Sequence, residues 1–290
     1  DIDHTINNTI SAYVVGPSSK PARMMGAGSS VSIEASEDAF LSADATNVSI
    51  AVGLGAAIGV SLLDVYITST ITAYIDDTRI EADSVIVAAE SVANISENKT
   101  AGVSASLVGA IGNHSKSYLE TTVDAYIDNS IIVATDSVTV TATGDNTARA
   151  DANGGAFGAV AVGAMIAEVN LGKSGVAYEV QAGIGELAEI SANALYIVAE
   201  STDDLLASSV AAGGGVYSGT GSESNLTTDL GTLAKIGDGS TINVGTLSVT
   251  SDHQQDLDSS ADSYSLALAS GSGAGAQNDV TTKADIEIGE

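Results

Sequence analysis

Apolar and polar residues alternate with a period of two over most of this chain. Thr122–Asp128 (TVDAYID), Val138–Ala142 (VTVTA) and Leu247–Ser251 (LSVTS) all follow it, whereas a helix needs apolar positions three and four residues apart. Strands are therefore predicted throughout. The alternation also repeats on a longer scale. The pattern Ala-x-Ile/Val occurs at Ala12-Tyr13-Val14, Ala73-Tyr74-Ile75, Ala125-Tyr126-Ile127, Ala182-Gly183-Ile184, Ala234-Lys235-Ile236 and Ala284-Asp285-Ile286, in steps of roughly 61, 52, 57, 52 and 50 residues. A second strand keeps the same beat at Val31–Ala35, Val85–Ala89, Val138–Ala142, Leu195–Ala199 and Leu247–Ser251. A third landmark, a run of Gly, Ala and small aliphatics, recurs at Ala51–Val60, Ala101–Gly112, Gly154–Ala167, Ala211–Gly221 and Ala267–Ala276.

Three different patterns in fixed order make a repeat that simple abundance of Ala, Val, Ser and Gly does not explain. The reading is one continuous domain over 1–290, with units at about 12–72, 73–124, 125–181, 182–233 and 234–283 and an insertion loop at 16–30. That loop holds both prolines, Pro17 and Pro21, together with Lys20 and Arg23, and reads as exposed turn chemistry. Within a unit, Thr70–Ile75 is a strand and Asp76-Asp77-Thr78 a turn. Arg79–Ala89 is a second strand, Glu90–Thr100 a polar turn, and Ala101–Ile111 a small-residue strand suited to close approach of two sheets. Strands that repeat this way stack on their equivalents, so the expected fold is all-β: a parallel β-solenoid of about five repeats of roughly 52 residues. One wide coil per repeat is favoured over two coils of about 25, because the halves of a unit do not resemble each other.

Composition narrows the core and the partners. Only 4% of residues are aromatic and Trp is absent, while 44% are hydrophobic. Such a chain is too apolar for disorder and must build thin layers of Val, Ile and Ala. With 37 acidic against 9 basic residues the net charge is −28, which repels nucleic acid and keeps a large repetitive surface apart from its neighbours. The absence of cysteine removes disulfides, thiolate metal sites and Cys nucleophiles. The longest apolar stretch, Val48–Leu63, is shorter than the ~20 residues of a membrane helix. Nine Tyr and two Phe are too scattered for the aromatic girdles of a membrane barrel.

Units such as TVDAYIDNSIIVATDSVTVTA followed by GGAFGAVAVGA resemble the repeats of very large bacterial surface proteins of the filamentous-haemagglutinin and leukotoxin-like adhesin type, over most of Thr70–Glu290. The resemblance implies a right-handed solenoid, secreted or on the cell surface, with an adhesive or scaffolding role. It carries no functional residue across.

The chemistry-bearing residues are sparse. Hard cations want clustered carboxylates and carbonyls, and the first corners of two units offer Asp76, Asp77 and Asp128, with Asp83 and Asp136 at the next corner, although the acids lapse in the later units. Acids stacked about 4.8 Å apart repel unless neutralised, so these five are the candidate calcium ligands. His4, His114 and His253 fall at different phases and read as surface residues. No nucleophile elbow, phosphate loop or aromatic-lined acid pair stands out, so no enzyme is expected. Asn7, Asn47, Asn94, Asn98, Asn113 and Asn225 each begin an Asn-x-Ser/Thr triplet. Ala12 and Ala284 read as the same phase of the unit. The expected function is a structural or adhesive extracellular solenoid, extended head to tail by copies of itself or by flanking repeats of a longer parent. The alternatives are a calcium-stabilised adhesin module that binds a receptor or glycan on a host or neighbouring cell, and, further off, a carbohydrate-active enzyme on the same fold.

Overall fold

The computed structural model describes residues 2–16, 22–52, 55–172, 176 and 178–289. They form β1 (Ile2–Val15), β2 (Ala22–Ile50), β3 (Ala56–Asp76), β4 (Thr78–Ala105), β5 (Val108–Asp128), β6 (Ile131–Leu171), β7 (Val180–Ile184), β8 (Glu189–Ile236) and β9 (Thr241–Ile288). All pairings between them are parallel, in the order β1-β3-β5-β7-β8-β6-β4-β2, with β9 on β8 and a further pairing of β5 with β6. No helix is present among the described residues.

The register follows the repeat. Val31 pairs with Val85, Val85 with Val138, Val138 with Leu195 and Leu195 with Leu247. Ala12 pairs with Ala73, Ala73 with Ala125, Ala125 with Ala182 and Ala182 with Ala234. The hydrogen-bonded partner therefore lies one whole repeat away, and among the described residues no strand pairs at half that step. The sixth landmark is the exception: Ala234 faces Ile286, and Ala284 faces Thr232. Ala284 is thus two residues out of phase with Ala12, a shift that keeps it on the same face of the strand but misplaces it along the strand.

Each repeat makes two passes that face one another. Where the second unit passes into the third, β5 forms one wall and Ile131–Phe157 of β6 the other, where β6 pairs with β4; the rest of β6 then returns along β5. Side chains alternate in and out along each pass, as the burial of β5 shows. Between the walls lie two apolar layers. One is built on Ile71, Ile75, Ile80, Val85, Val123, Ile127, Val138 and Ile197. The other is built on Leu63, Ile67, Ile95, Leu119, Ala150, Met165 and Leu205.

A polar cluster sits within the second layer, between Ile95 and Leu119 on one side and Ile111 and Met165 on the other, and it replaces an expected turn. Glu90–Thr100 is strand throughout, inside β4, with only a register slip between Ile95 and Lys99. Ser91, Asn98 and Thr100 point inward while Glu90 and Glu97 stay exposed, and Asn98 bonds across to the other wall. Asn98, fully buried, donates from Nδ2 to the Lys116 carbonyl at 2.7 Å and to Ser117 Oγ at 3.0 Å. Ser115 Oγ donates back to the Asn98 carbonyl at 2.7 Å. Buried polar groups are tolerated when paired in this way. The small-residue stretch Ala101–Ile111 is not one strand, because the chain bends at Ser106-Leu107 between β4 and β5, and its two arms approach closely. A side chain on Gly102 would meet Ile111 Cδ1 at 2.5 Å, and one on Gly154 would run into Met165 Cε. Of the expected insertion loop at 16–30, residues 17–21, with both prolines and Lys20, lie outside the described residues. From Ala22 onward the chain is strand, and Arg23 pairs with Glu81 at 3.1 Å.

Candidate functional site

Two features on the surface could carry function: the corners where one wall turns into the other, and the outer face leading to them. Asp77 and Asn129 occupy the corners with φ of 50° and 41°, a left-handed conformation that Asp and Asn adopt more readily than other side-chain-bearing residues. Turn geometry alone therefore accounts for part of the acid there. Asp76 and Asp128 are partners in register. Burial raises the Asp76 carboxyl above its ordinary range, and the charges of Asp77 and Asp128 push the same way. Asp77 accepts from Asn129 Nδ2, and Asp128 accepts from the Asn129 backbone N–H at 3.0 Å.

Asp83 and Asp136 sit further along the opposite wall, at a bulge where Ala82 pairs with Ala134 and Ser84 with Ser137. Asp83 accepts from Thr135 Oγ1 at 3.0 Å and from the Gly28 N–H at 3.3 Å; Asp136 accepts from Ser84 Oγ at 3.4 Å. The structure thus brings Asp76 beside Asp128 with Asp77 close by, and places Asp83 and Asp136 at a separate bulge within the wall rather than at a corner. Among the described residues no three of His, Asp and Glu converge in a way that could hold a metal ion.

The outer face carries an aromatic ladder that the recurring Ala-Tyr-Ile/Val hints at. Tyr13, Tyr74 and Tyr126 are successive partners. The first two rings stack at 5.2 Å and 16°, the second two at 5.0 Å and 8°, close to the ~4.8 Å spacing of the strands themselves. At the next rung the ladder stops, because the partner of Tyr126 is Gly183, followed by Lys235. The gap opens a cleft of about 320 Å³ between Tyr126 and Lys235, bordered by Asp124, Asp128, Gln181, Gly183 and Gly185. Burial pushes the Asp124 carboxyl up to about 6, with Lys235 acting in the opposite direction.

Two sequence expectations change inside the molecule. His253 is not a surface residue: its side chain is 5% exposed, and Nε2 lies 2.9 Å from Oδ2 of fully buried Asp203. Asp203 also accepts from Asn146 Nδ2 at 2.9 Å and Gln255 Nε2 at 3.3 Å, and Asn146 in turn accepts from Thr121 at 3.1 Å. His114 is half-buried beside Glu168 at 3.6 Å, and His4 is exposed. Asn98 and Asn113 are buried, so those two triplets are closed to glycosylation in the folded chain.

The last feature is the free edge. Among the described residues β9 pairs with β8 alone, and apart from His253 the residues that continue the inner faces of β8 are only partly buried or exposed. Ile286 is 52% exposed, although its partner Ala234 is fully buried. Among the described residues no helix is long and apolar enough to cross a membrane. A scan of protein families, a search of curated proteins and a search of solved structures each return no match to this chain.

Proposed function

We propose that this chain is a β-solenoid with one wide coil per repeat, and that it serves as an extracellular structural or adhesive element lengthened by pairing at its open edges. The observation that carries this reading is parallel pairing between residues one repeat apart. That pairing continues, with slips at the bulges, from β1 to β9, and among the described residues the 48 residues of β9 pair on one side only. Unpaired N–H and C=O groups in a long strand are a template for another strand. Ile286 and Ile288 continue the inner apolar column of Ala234 and Ile236 into solvent. The partner that fits is a further coil of the same kind, from another copy or from flanking repeats. The resemblance to filamentous-haemagglutinin-type repeats supports the same role, and the charge of −28 would keep such fibres apart sideways.

The test is electron microscopy of the purified chain, with and without a chelator. The proposal expects fibres with an axial repeat of about 4.8 Å that survive chelation. It also expects the double variant Ile286→Lys, Ile288→Lys to stay as short particles. Discrete particles from the parent chain would overturn the reading. Fibres that dissolve on chelation would favour calcium at the Asp76–Asp128 corner instead.

A further inference from the structure

The cleft at the broken tyrosine ladder is a built surface, and its chemistry selects among ligands. One side is the free face of Tyr126, whose other face is already stacked on Tyr74. The gap is one rung deep, which is the thickness of one ring. Its floor is Gly183, where a side chain would meet Lys235 Cγ at 2.6 Å, so the lysine stem leans across the gap and a ring stacked on Tyr126 enters as that flexible side chain swings aside. Asp124 and Asp128 flank Tyr126 on its own strand, and Gln181 lies beside Asp124 on the next.

These mixed charges disfavour a ligand that carries a single charge. A cation drawn to the two carboxylates and the ring would meet the Lys235 ammonium. An anion drawn to Lys235 would meet Asp124 and Asp128. A neutral group that both donates and accepts satisfies all of them: hydroxyls donate to the carboxylates and accept from Lys235 and the Gln181 amide. The same ligand must offer a flat apolar face to Tyr126. We infer that this cleft is a binding site for one neutral sugar ring, stacked on Tyr126 as the next rung of the ladder and held at its edges by Asp124, Asp128, Gln181 and Lys235. Such a site gives a stacked fibre one saccharide contact per copy, and it stands whether or not the edges pair.

The experiment is saturation-transfer NMR and titration on the full chain with the methyl glycosides of glucose, galactose and mannose. Arginine methyl ester and inorganic phosphate serve as charged controls. Transfer to the ring protons of at least one glycoside is expected. Tyr126→Ala should weaken that binding about tenfold, the worth of one ring contact, while Tyr126→Phe, which keeps the face, restores it. Tyr13→Ala, at the far end of the ladder, should leave it unchanged. Melting curves of each variant establish that it is folded. Failure to bind any of the glycosides, binding indifferent to Tyr126→Ala in a folded variant, or tighter binding of arginine or phosphate would overturn the inference.

Discussion

Replacing Ile127 by Ala tests whether the repeat is held by columns of identical side chains. Ile75, Ile127, Ile184 and Ile236 are successive partners in register, and Ile127 is fully buried. Buried Ile→Ala changes cost about 2–5 kcal/mol, and the cost rises when the surroundings cannot collapse into the space. Here the strands above and below are fixed at about 4.8 Å by their own ladders, so the void should persist, and a loss of about 3–5 kcal/mol is expected. Ile286→Ala removes the same atoms from the same inner face, but at the open edge where the side chain is 52% exposed. Its loss should stay below about 1 kcal/mol in dilute solution. Urea unfolding followed by circular dichroism gives both values, provided the denaturant slope is unchanged. If Ile286 is covered by another coil at high concentration, its cost should grow with concentration while that of Ile127 does not. Equal losses at the two positions in dilute solution would refute the columnar core.

Asp124→Asn reports on the cleft through pH. The folded carboxyl titrates at about 6, against an ordinary value of 3.8. The native state therefore holds its proton longer, and stability falls as pH rises between the two values and stays lower above them. A carboxyl raised that far corresponds to a penalty of roughly 3 kcal/mol, which solvent at the open cleft reduces to about 1–2 kcal/mol. The variant should flatten that part of the profile and gain stability at pH 7 relative to pH 4; parallel profiles for parent and variant would contradict it. Asn146→Ala leaves the Thr121 hydroxyl and one oxygen of buried Asp203 short of a partner, and should cost about 1–3 kcal/mol in urea unfolding. Gln254→Ala, on the exposed face next to His253, should cost under about 0.5 kcal/mol by the same assay. Gly154→Val drives a side chain into Met165 and should lower the melting midpoint by an amount equivalent to about 1–3 kcal/mol.

Strand content and repeat register were legible because they rest on local alternation and on spacing. The Val31, Val85, Val138, Leu195 and Leu247 ladder could be read directly from the chain. The polar stretch Glu90–Thr100 misled because polarity normally marks solvent. Here Ser91 and Asn98 face inward, and at Asn98 the donors and acceptors that satisfy it come from the opposite wall, which no local pattern encodes. His253 misled for the same reason, since its neighbour Asp203 is one repeat and two positions away. The last landmark slipped by two because Ala284 and Ile286 both fit an inward column. In the tyrosine ladder the three recurring Tyr were visible, but the meaning of Gly183 depends on knowing that it sits beside Tyr126. Of the five acids, register joins Asp76 to Asp128, while the bulge at Asp83 sets that residue against Thr135 and Asp136 instead.

The central claim is that residues one repeat apart are hydrogen-bonded neighbours, and the cysteine-free chain allows a direct test. Tyr74→Cys combined with Tyr126→Cys places two thiols on adjacent strands about 4.8 Å apart, within the roughly 4.4–6.8 Å that a disulfide spans between Cα atoms. Mild oxidation should close an intramolecular bridge in this variant, seen as a mobility shift reversed by reductant. The pair Tyr13→Cys with Tyr126→Cys, two strands apart, should stay open. Failure of the first pair to close, or equal closure of the second, would contradict parallel stacking at one repeat per step.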